Sequence, residues 1–387
     1  MFMPKKKSRA LFVSVLCVMS VSATAQRYTI TDLGPLAPTG INSWAQVVGN
    51  YNNRAYLWTF GRKRSLGTLP GGTFSYAAGI NDLGVVVGTA DGQGIVVLRS
   101  GWEGSNVECS DLTQPFVWKK QMQGLGTIGP VSDVEGTLPP IAWCRFPFYG
   151  SAINDHGQVV GDSVVFPDEF QWDFLWTRSE GISIFGSSFP PTFARGLSNT
   201  GQIVGENGIY FGNATYWKNG VATQLEGLPG FLDSAANAVN DLGQIAGWST
   251  TSMSCNPDGC FFPLHAVIWN QDGTISDLGT LSGDTYSSAT AINLFGLIIG
   301  SSGNTVSAST EPGAGFPSGP LEVIGRPFIW SHTTGMRDLN SLIPENSGWV
   351  LQTATDINVW GQVVGQGAHN GQPHGYMLTP RNPFQVF

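Results

Sequence analysis

The chain has 387 residues, of which 12% are charged, with 51 glycines, 23 prolines and a formal net charge of −8. An acidic chain of this kind is a poor partner for nucleic acid or anionic membrane. Few long periodic helical stretches and many turn residues exclude a helical bundle and point to an all-β fold.

The opening residues, "MFMPKKKSRALFVSVLCVMSVSATAQ", place four positive charges before an apolar run from Ala10 to about Ser22, followed by Ala23-Thr24-Ala25. This reads as a secretory signal, residues 1–25, cleaved after Ala25. The run is shorter than the roughly 20 residues that span a bilayer, and Leu16 before Cys17 does not suit a lipoprotein site. Cleavage removes Lys5, Lys6, Lys7 and Arg9 and no acid, which takes the formal charge from −8 to −12. No later run is long and apolar enough to cross a bilayer. The expectation is a secreted, extracellular or periplasmic protein whose mature chain inserts in no membrane and works as a monomer.

After the signal comes "YTITDLG", residues 28–34, and then one unit repeated seven times. Turn glycines align at Gly84, Gly157, Gly201, Gly243, Gly296 and Gly361, with Ala45 in that place in the first copy. Each turn leads into a Gly-closed apolar strand such as "QVVG" at Gln46 or "QIVG" at Gln202, and then a strand ending in Trp58, Trp118, Trp176, Trp217, Trp269 or Trp330. Copy seven has Leu378 in the Trp place. A short fourth strand follows in six copies, clearest in "TISDLGTL", and is missing from the seventh. "YTITDLG" matches that missing text from the other end of the chain. A closed ring explains the displacement, because the first strand then completes the last blade and leaves no long sheet edge.

The predicted fold is therefore an all-β, seven-bladed β-propeller of four-stranded blades, in one domain over residues 26–380. The blades run about 35–72, 76–130, 149–188, 193–230, 234–283, 287–344 and 351–380 plus 28–34, with a tail at 381–387. Continuously apolar strands fit burial on both faces, and the Trp set is read as core between blades. Asn-Asp-Leu-Gly is a type I turn with Gly in the left-handed position. The set Asn42, Asn81, Asn154, Ser198, Asn240, Asn293 and Asn358 is expected in a ring near the axis, as repeated turn chemistry rather than a ligand site. Trp44 and Trp360, beside each other in a closed ring, are expected to fold back over the blade bottoms.

Text of the form "INDxGQVVG", here "AINDHGQVVG" at Ala152, with "HAVIW" at His265 and "SDLGTL" at Ser276, resembles the HAF family of bacterial extracellular repeat proteins. The resemblance covers Tyr28 to about Pro380 and implies export and a repeat fold, without adding chemistry. The name-giving His stands only at His265 and His374; the other copies carry Arg54, Gln114, Trp172, Asn213 and Arg326. That variation speaks against a seven-fold catalytic or metal role.

The long insertions, at Asp91–Gln114, Pro130–Gly150, Val164–Trp172, Trp248–Leu264 and Ser302–Gly325, all belong to connections that open on one face of such a ring, where binding or catalysis usually sits. The candidate ligand-binding residues there are Trp102, Trp143, Phe146, Tyr149, Asp168 and Trp172, since aromatic faces beside carboxylates suit sugars or cationic partners. A hydrolytic pair or calcium site among Asp162, Asp168 and Asp173 lacks supporting spacing. Five scattered histidines suggest no metal site, and no cofactor is expected. Cys109 with Cys144, and Cys255 with Cys260 across "NPDG", are expected to form two disulfides that pin the insertions. The reading is a binding propeller for carbohydrate or a cell-surface protein. The alternative is a propeller enzyme, of polysaccharide lyase or glycosidase type, at the axial mouth of the same face.

Overall fold

The structure is a computed structural model that describes residues 27–97, 106–109, 112–128, 148–165, 170–185, 192–208, 212–230, 233–251, 254–256, 259–261, 263–308 and 321–382. These residues form a seven-bladed β-propeller. The inner strands of blades one to six are Ala37–Ile41, Ser75–Ile80, Phe148–Ile153, Thr192–Leu197, Ser234–Val239 and Tyr286–Ile292, each followed outward by three antiparallel strands. In blade seven the inner strand is split into Trp349–Leu351 and Asp356–Ile357, both paired with Val363–His369. Several inner strands start a residue or two before the predicted blade limits. Among the described residues no helix is long and apolar enough to cross a membrane.

The seam lies between the two ends of the chain. Strand Tyr28–Asp32 pairs antiparallel with Gln372–Pro380, Ile30 opposite Leu378 and Asp32 opposite Tyr376. Tyr28, Tyr376 and Leu378 are buried together with Trp349, Leu351 and Val363. On the other side of blade seven, Thr355 donates to Pro38 O at 3.1 Å and the Ile41 amide donates to Asp356 at 2.8 Å, which joins that blade to blade one. Burial pushes the Asp356 carboxyl up to about 6, although the Ile41 and Ile357 amides oppose the rise.

Two recurring features of the sequence have a geometric cause. The inner strands of blades one to six carry a register shift, for example between Ala194 and Gly196. Beside it the backbone crowds the second strand: a Cβ at Gly161 or Gly205 would sit 1.8 Å from the carbonyl oxygen of Tyr149 or Phe193. Only glycine fits there, hence the closing Gly of "QVVG" and its variants. The turn glycines adopt positive φ, as at Gly84 (70°), and Ala45 is held at 56° in the same place.

The turn asparagines form the expected ring, and their bonding explains the choice of residue. Asn42 Oδ1 accepts from the Trp44 and Gln46 amides of its own turn at 3.1 and 3.0 Å. Its Nδ2 donates to Asn81 O of the next blade at 3.1 Å. The same step joins Asn81 to Asn154 (2.8 Å), Asn154 to Ser198 (3.1 Å), Asn240 to Asn293 (3.0 Å), Asn293 to Asn358 (3.1 Å) and Asn358 back to Asn42 (3.0 Å). These buried amides are consumed by the fold and offer nothing to a ligand. At Ser198 the side chain is too short to reach onward; it bonds Thr200 instead, at 2.9 Å. Ser198→Asn restores the missing bond, so a gain of about 0.5–1.5 kcal/mol is expected, the usual net contribution of one hydrogen bond. It is read as a raised urea midpoint with an unchanged slope; an unchanged midpoint refutes it.

Trp44 and Trp360 do not fold back over their own blades. Trp360 Nε1 donates to Ser43 O at 2.9 Å and Trp44 Nε1 to Asp82 O at 3.0 Å, so each indole reaches sideways onto the next blade's turn and stays largely exposed. On the opposite face the insertions are partly sheet. One in blade two contains the strands Gly94–Val97 and Asn106–Cys109, and the one in blade five is a hairpin of Ser254–Asn256 and Gly259–Phe261. In that hairpin Cys255 and Cys260 are direct cross-strand partners. Cys144 lies outside the described residues.

Candidate functional site

Each blade presents two strand ends on the insertion face: the start of its third strand and the end of its fourth. In blades five and seven these two positions carry a histidine and an aspartate; in blade six, whose third strand is extended to Leu321–Ser331, Arg326 at its middle takes the basic place beside Asp338 at the end of the fourth. His265 Nδ1 lies 2.9 Å from Asp277 Oδ2 in blade five. Arg326 lies 3.2 Å from Asp338 in blade six. His374 Nδ1 lies 2.9 Å from Asp32 Oδ1 at the seam. Burial alone would raise the Asp277 and Asp32 carboxyls. Bonds from His265 and the Gly279 amide outweigh that at Asp277, and from the Gly34 amide, His374 and His369 at Asp32, so both are held below the usual carboxylate range.

Blade six elaborates the pair. Arg326 also reaches Asp284 at 2.9 Å and Ser282 O at 3.1 Å, which fixes the guanidinium between two carboxylates. Desolvation lowers its pKa, but Asp284 and Asp338 more than offset this and raise it. Between blades six and seven a groove of about 510 Å³ opens beside this cluster, lined among others by Arg326, Asp338, Asn340, Glu345, Trp349 and Gln352. Asn340 is itself held in place, donating to Leu351 O at 3.1 Å and accepting from the Leu351 amide at 2.8 Å.

Blade seven adds a second histidine. The two-residue turn Asn370-Gly371 pairs His369 with Gln372, and the register places His374 opposite Gly367, so His369 and His374 share one face of the sheet. Trp349 lies opposite His369 and stacks on it, with centroids 4.6 Å apart and planes 3° from parallel. Asp32, opposite Tyr376, falls on the same face. His369 Nδ1 is 3.0 Å from Asp32 Oδ2, and ligand atoms of Asp32, His369 and His374 all lie within 4.8 Å of one another. The histidines are thus not all scattered: the fold brings two of the five together with an aspartate from the other end of the chain.

Of the six candidate binding residues, Trp102, Trp143, Phe146 and Asp168 lie outside the described residues. Tyr149 sits in the inner strand of blade three, half-buried, opposite Asp162. Trp172 lies in the third strand of that blade, opposite Ser163. Asp162 in turn pairs with Asp173. Asp173 is wholly buried, so this carboxylate pair is not one that a substrate can reach. Sequence reasoning missed Asp32, His369, Arg326 and Trp349, although the ring closure and the Asn-Gly turn together contain the information that joins Asp32 to the two histidines.

No protein-family model and no curated protein matches the chain. Among solved structures, virginiamycin B lyase from Staphylococcus aureus aligns over 91% of this chain and 99% of its own, at 10% identity and a TM-score of 0.44. A Trypanosoma rangeli sialidase aligns over 92% of this chain and 60% of its own, at 11% identity and a TM-score of 0.38. A luciferin-regenerating enzyme aligns over 92% and 96%, at 9% identity and a TM-score of 0.36. Likenesses this distant assign no chemistry.

Proposed function

We propose that the protein is an exported binding propeller whose insertion face takes a neutral or basic polyhydroxylated ligand, such as a cell-surface glycan. The observation that carries this reading is the groove between blades six and seven. Its polar groups are Arg326, Asp338, Asn340, Glu345 and Gln352 above a floor that includes Ile343, Trp349 and Leu351. A rigid set of donors and acceptors over apolar carbon is what a sugar needs. The charge in and beside the groove favours a neutral or basic ligand over an anionic one. Arg326 is already neutralised by Asp284 and Asp338, and Glu345 adds a negative charge that pairs with no basic side chain among the described residues.

Export rests on the charged and apolar leader, and kinship with the HAF repeat proteins on the repeat text; both belong to the same proposal. Disulfides Cys109–Cys144 and Cys255–Cys260 would suit an oxidising compartment, and the cross-strand placement of Cys255 and Cys260 supports the second. Peptide mapping of the unreduced protein is expected to recover both links. Free thiols, or a link from Cys144 to Cys255, contradict the pairing.

A glycan array probed with the mature protein tests the function. Binding of neutral or basic glycans is expected, and Arg326→Ala should weaken it at least about tenfold, the equivalent of the roughly 1.5 kcal/mol contributed by a charged hydrogen bond. Binding confined to polyanionic glycans, or unchanged in Arg326→Ala, refutes this use of the groove.

A further inference from the structure

We infer that Asp32, His369 and His374 form a binding site for one zinc-class divalent cation, which fastens the two ends of the chain at the propeller seam. Blades five and six satisfy the equivalent aspartates, Asp277 and Asp338, with one basic residue from the facing strand. Asp32 has that partner in His374 and a second one in His369, which the structural pairing does not require. Both imidazoles turn Nδ1 toward the same carboxylate, at 3.0 Å and 2.9 Å. Zinc–ligand bonds of roughly 2.0–2.1 Å set tetrahedral ligand atoms roughly 3.3 Å apart, near the two Nδ1–carboxylate separations here, so the cluster can supply three corners of a zinc tetrahedron once the imidazoles close on the ion.

The chemistry of the donor set selects the ion. Two imidazole nitrogens and one carboxylate suit zinc and neighbouring first-row divalent metals, whereas calcium asks for six to eight oxygens. Coordination requires each ring to carry its proton on Nε2, leaving the Nδ1 lone pair for the metal. The stack of Trp349 on His369 fixes one ring before any metal arrives. The three side chains are half-buried or exposed, and the hairpin from His369 to Gln372 is short, so the site has an entry path and room for a water in the fourth position. Trp349 also lines the groove between blades six and seven, which places the metal beside that groove.

The test uses the mature protein stripped with a chelator and titrated with zinc chloride in a calorimeter. One zinc per chain is expected, together with a rise in melting temperature, since a ligand that binds only the folded state stabilises it. His369→Gln and His374→Gln keep an N–H that can hold Asp32 while removing a ligand. Each should weaken zinc by more than the roughly 10–100-fold that loss of an outer partner costs. His265→Gln, which alters the plain His–Asp pair of blade five, should bind zinc like the parent. Cobalt substitution provides a second readout, an intense visible d–d spectrum in the parent that collapses in both seam variants. The inference fails if the parent takes up no stoichiometric zinc. It fails equally if His369→Gln and His374→Gln bind as the parent does, or if His265→Gln alone loses the metal.

Discussion

A chain lacking residues 28–34 is expected to melt on the order of 10 °C below the chain that keeps them, with a broadened transition. Tyr28 and Leu33 are buried, and fully burying side chains of this size contributes about 1.5–3 kcal/mol each. Two such losses give about 3–6 kcal/mol, and in chains of 150–250 residues each kcal/mol moves the midpoint by roughly 2–4 °C, less in a longer one. The five paired residues of Tyr28–Asp32 also protect the outer side of Gln372–Pro380. Their removal exposes a long edge with free backbone groups, so association at high concentration is expected alongside the lower midpoint. Differential scanning calorimetry at several protein concentrations reads both effects. A truncated chain that melted with the parent, at every concentration, would show that the ring is held without its first strand.

Much of this architecture is legible in the residues because its constraints are local. A turn glycine at positive φ, a glycine beneath a neighbouring carbonyl and an asparagine that bonds both its own turn and the next blade are each demanded by a few atoms, and they recur wherever those atoms do. The candidate site is less legible for two physical reasons. Its chemistry depends on register: His369, His374, Trp349 and Asp32 share a sheet face only because Asn370-Gly371 closes a two-residue hairpin and the first strand pairs in one particular alignment. It also depends on departures from the repeat. Arg326 stands where His265 and His374 stand in other blades, and its second carboxylate, Asp284, comes from the connection between blades five and six, which no repeat pattern specifies. The insertions drew attention in the sequence by their length and aromatic content, whereas the groove that the fold shows is built mainly from residues of the blade frame and the connection Leu339–Gly348.

Asp173→Asn is expected to stabilise the protein above pH 7 and to leave it nearly unchanged below pH 4. Asp173 sits in the third strand of blade three, wholly buried against blade four, where Oδ1 accepts from the Ala194 amide at 2.9 Å. In blades one, four and five the corresponding position is Ala55, Ala214 or Ala266, whose own backbone amide donates to a serine hydroxyl of the next blade. Blade three has placed a carboxylate where those three blades have a methyl group. Burial pushes it up to about 7, and the Asp162 carboxylate opposite adds to the rise, while the Thr192 hydroxyl and Ala194 amide oppose it. Among the described residues neither Asp173 Oδ2 nor Thr192 Oγ1 completes a hydrogen bond, which leaves the Ala194 amide as the contact that most opposes the rise. An unfolded aspartate titrates near 3.9. Between about pH 4 and pH 7 the folded chain therefore holds a proton that the unfolded chain has released, and stability falls as pH rises through that window. Above it the buried charge costs its full amount, at most about 4 kcal/mol for a carboxyl moved from near 3.9 to about 7. Asparagine keeps the oxygen that Ala194 needs and cannot ionise. Urea unfolding of parent and variant at pH 4, 6 and 8 should give a difference that is small at the first, grows at the second and reaches about 2–4 kcal/mol at the third. A difference that stayed constant across the three values would mean that Asp173 keeps an ordinary carboxylate titration inside the blade interface.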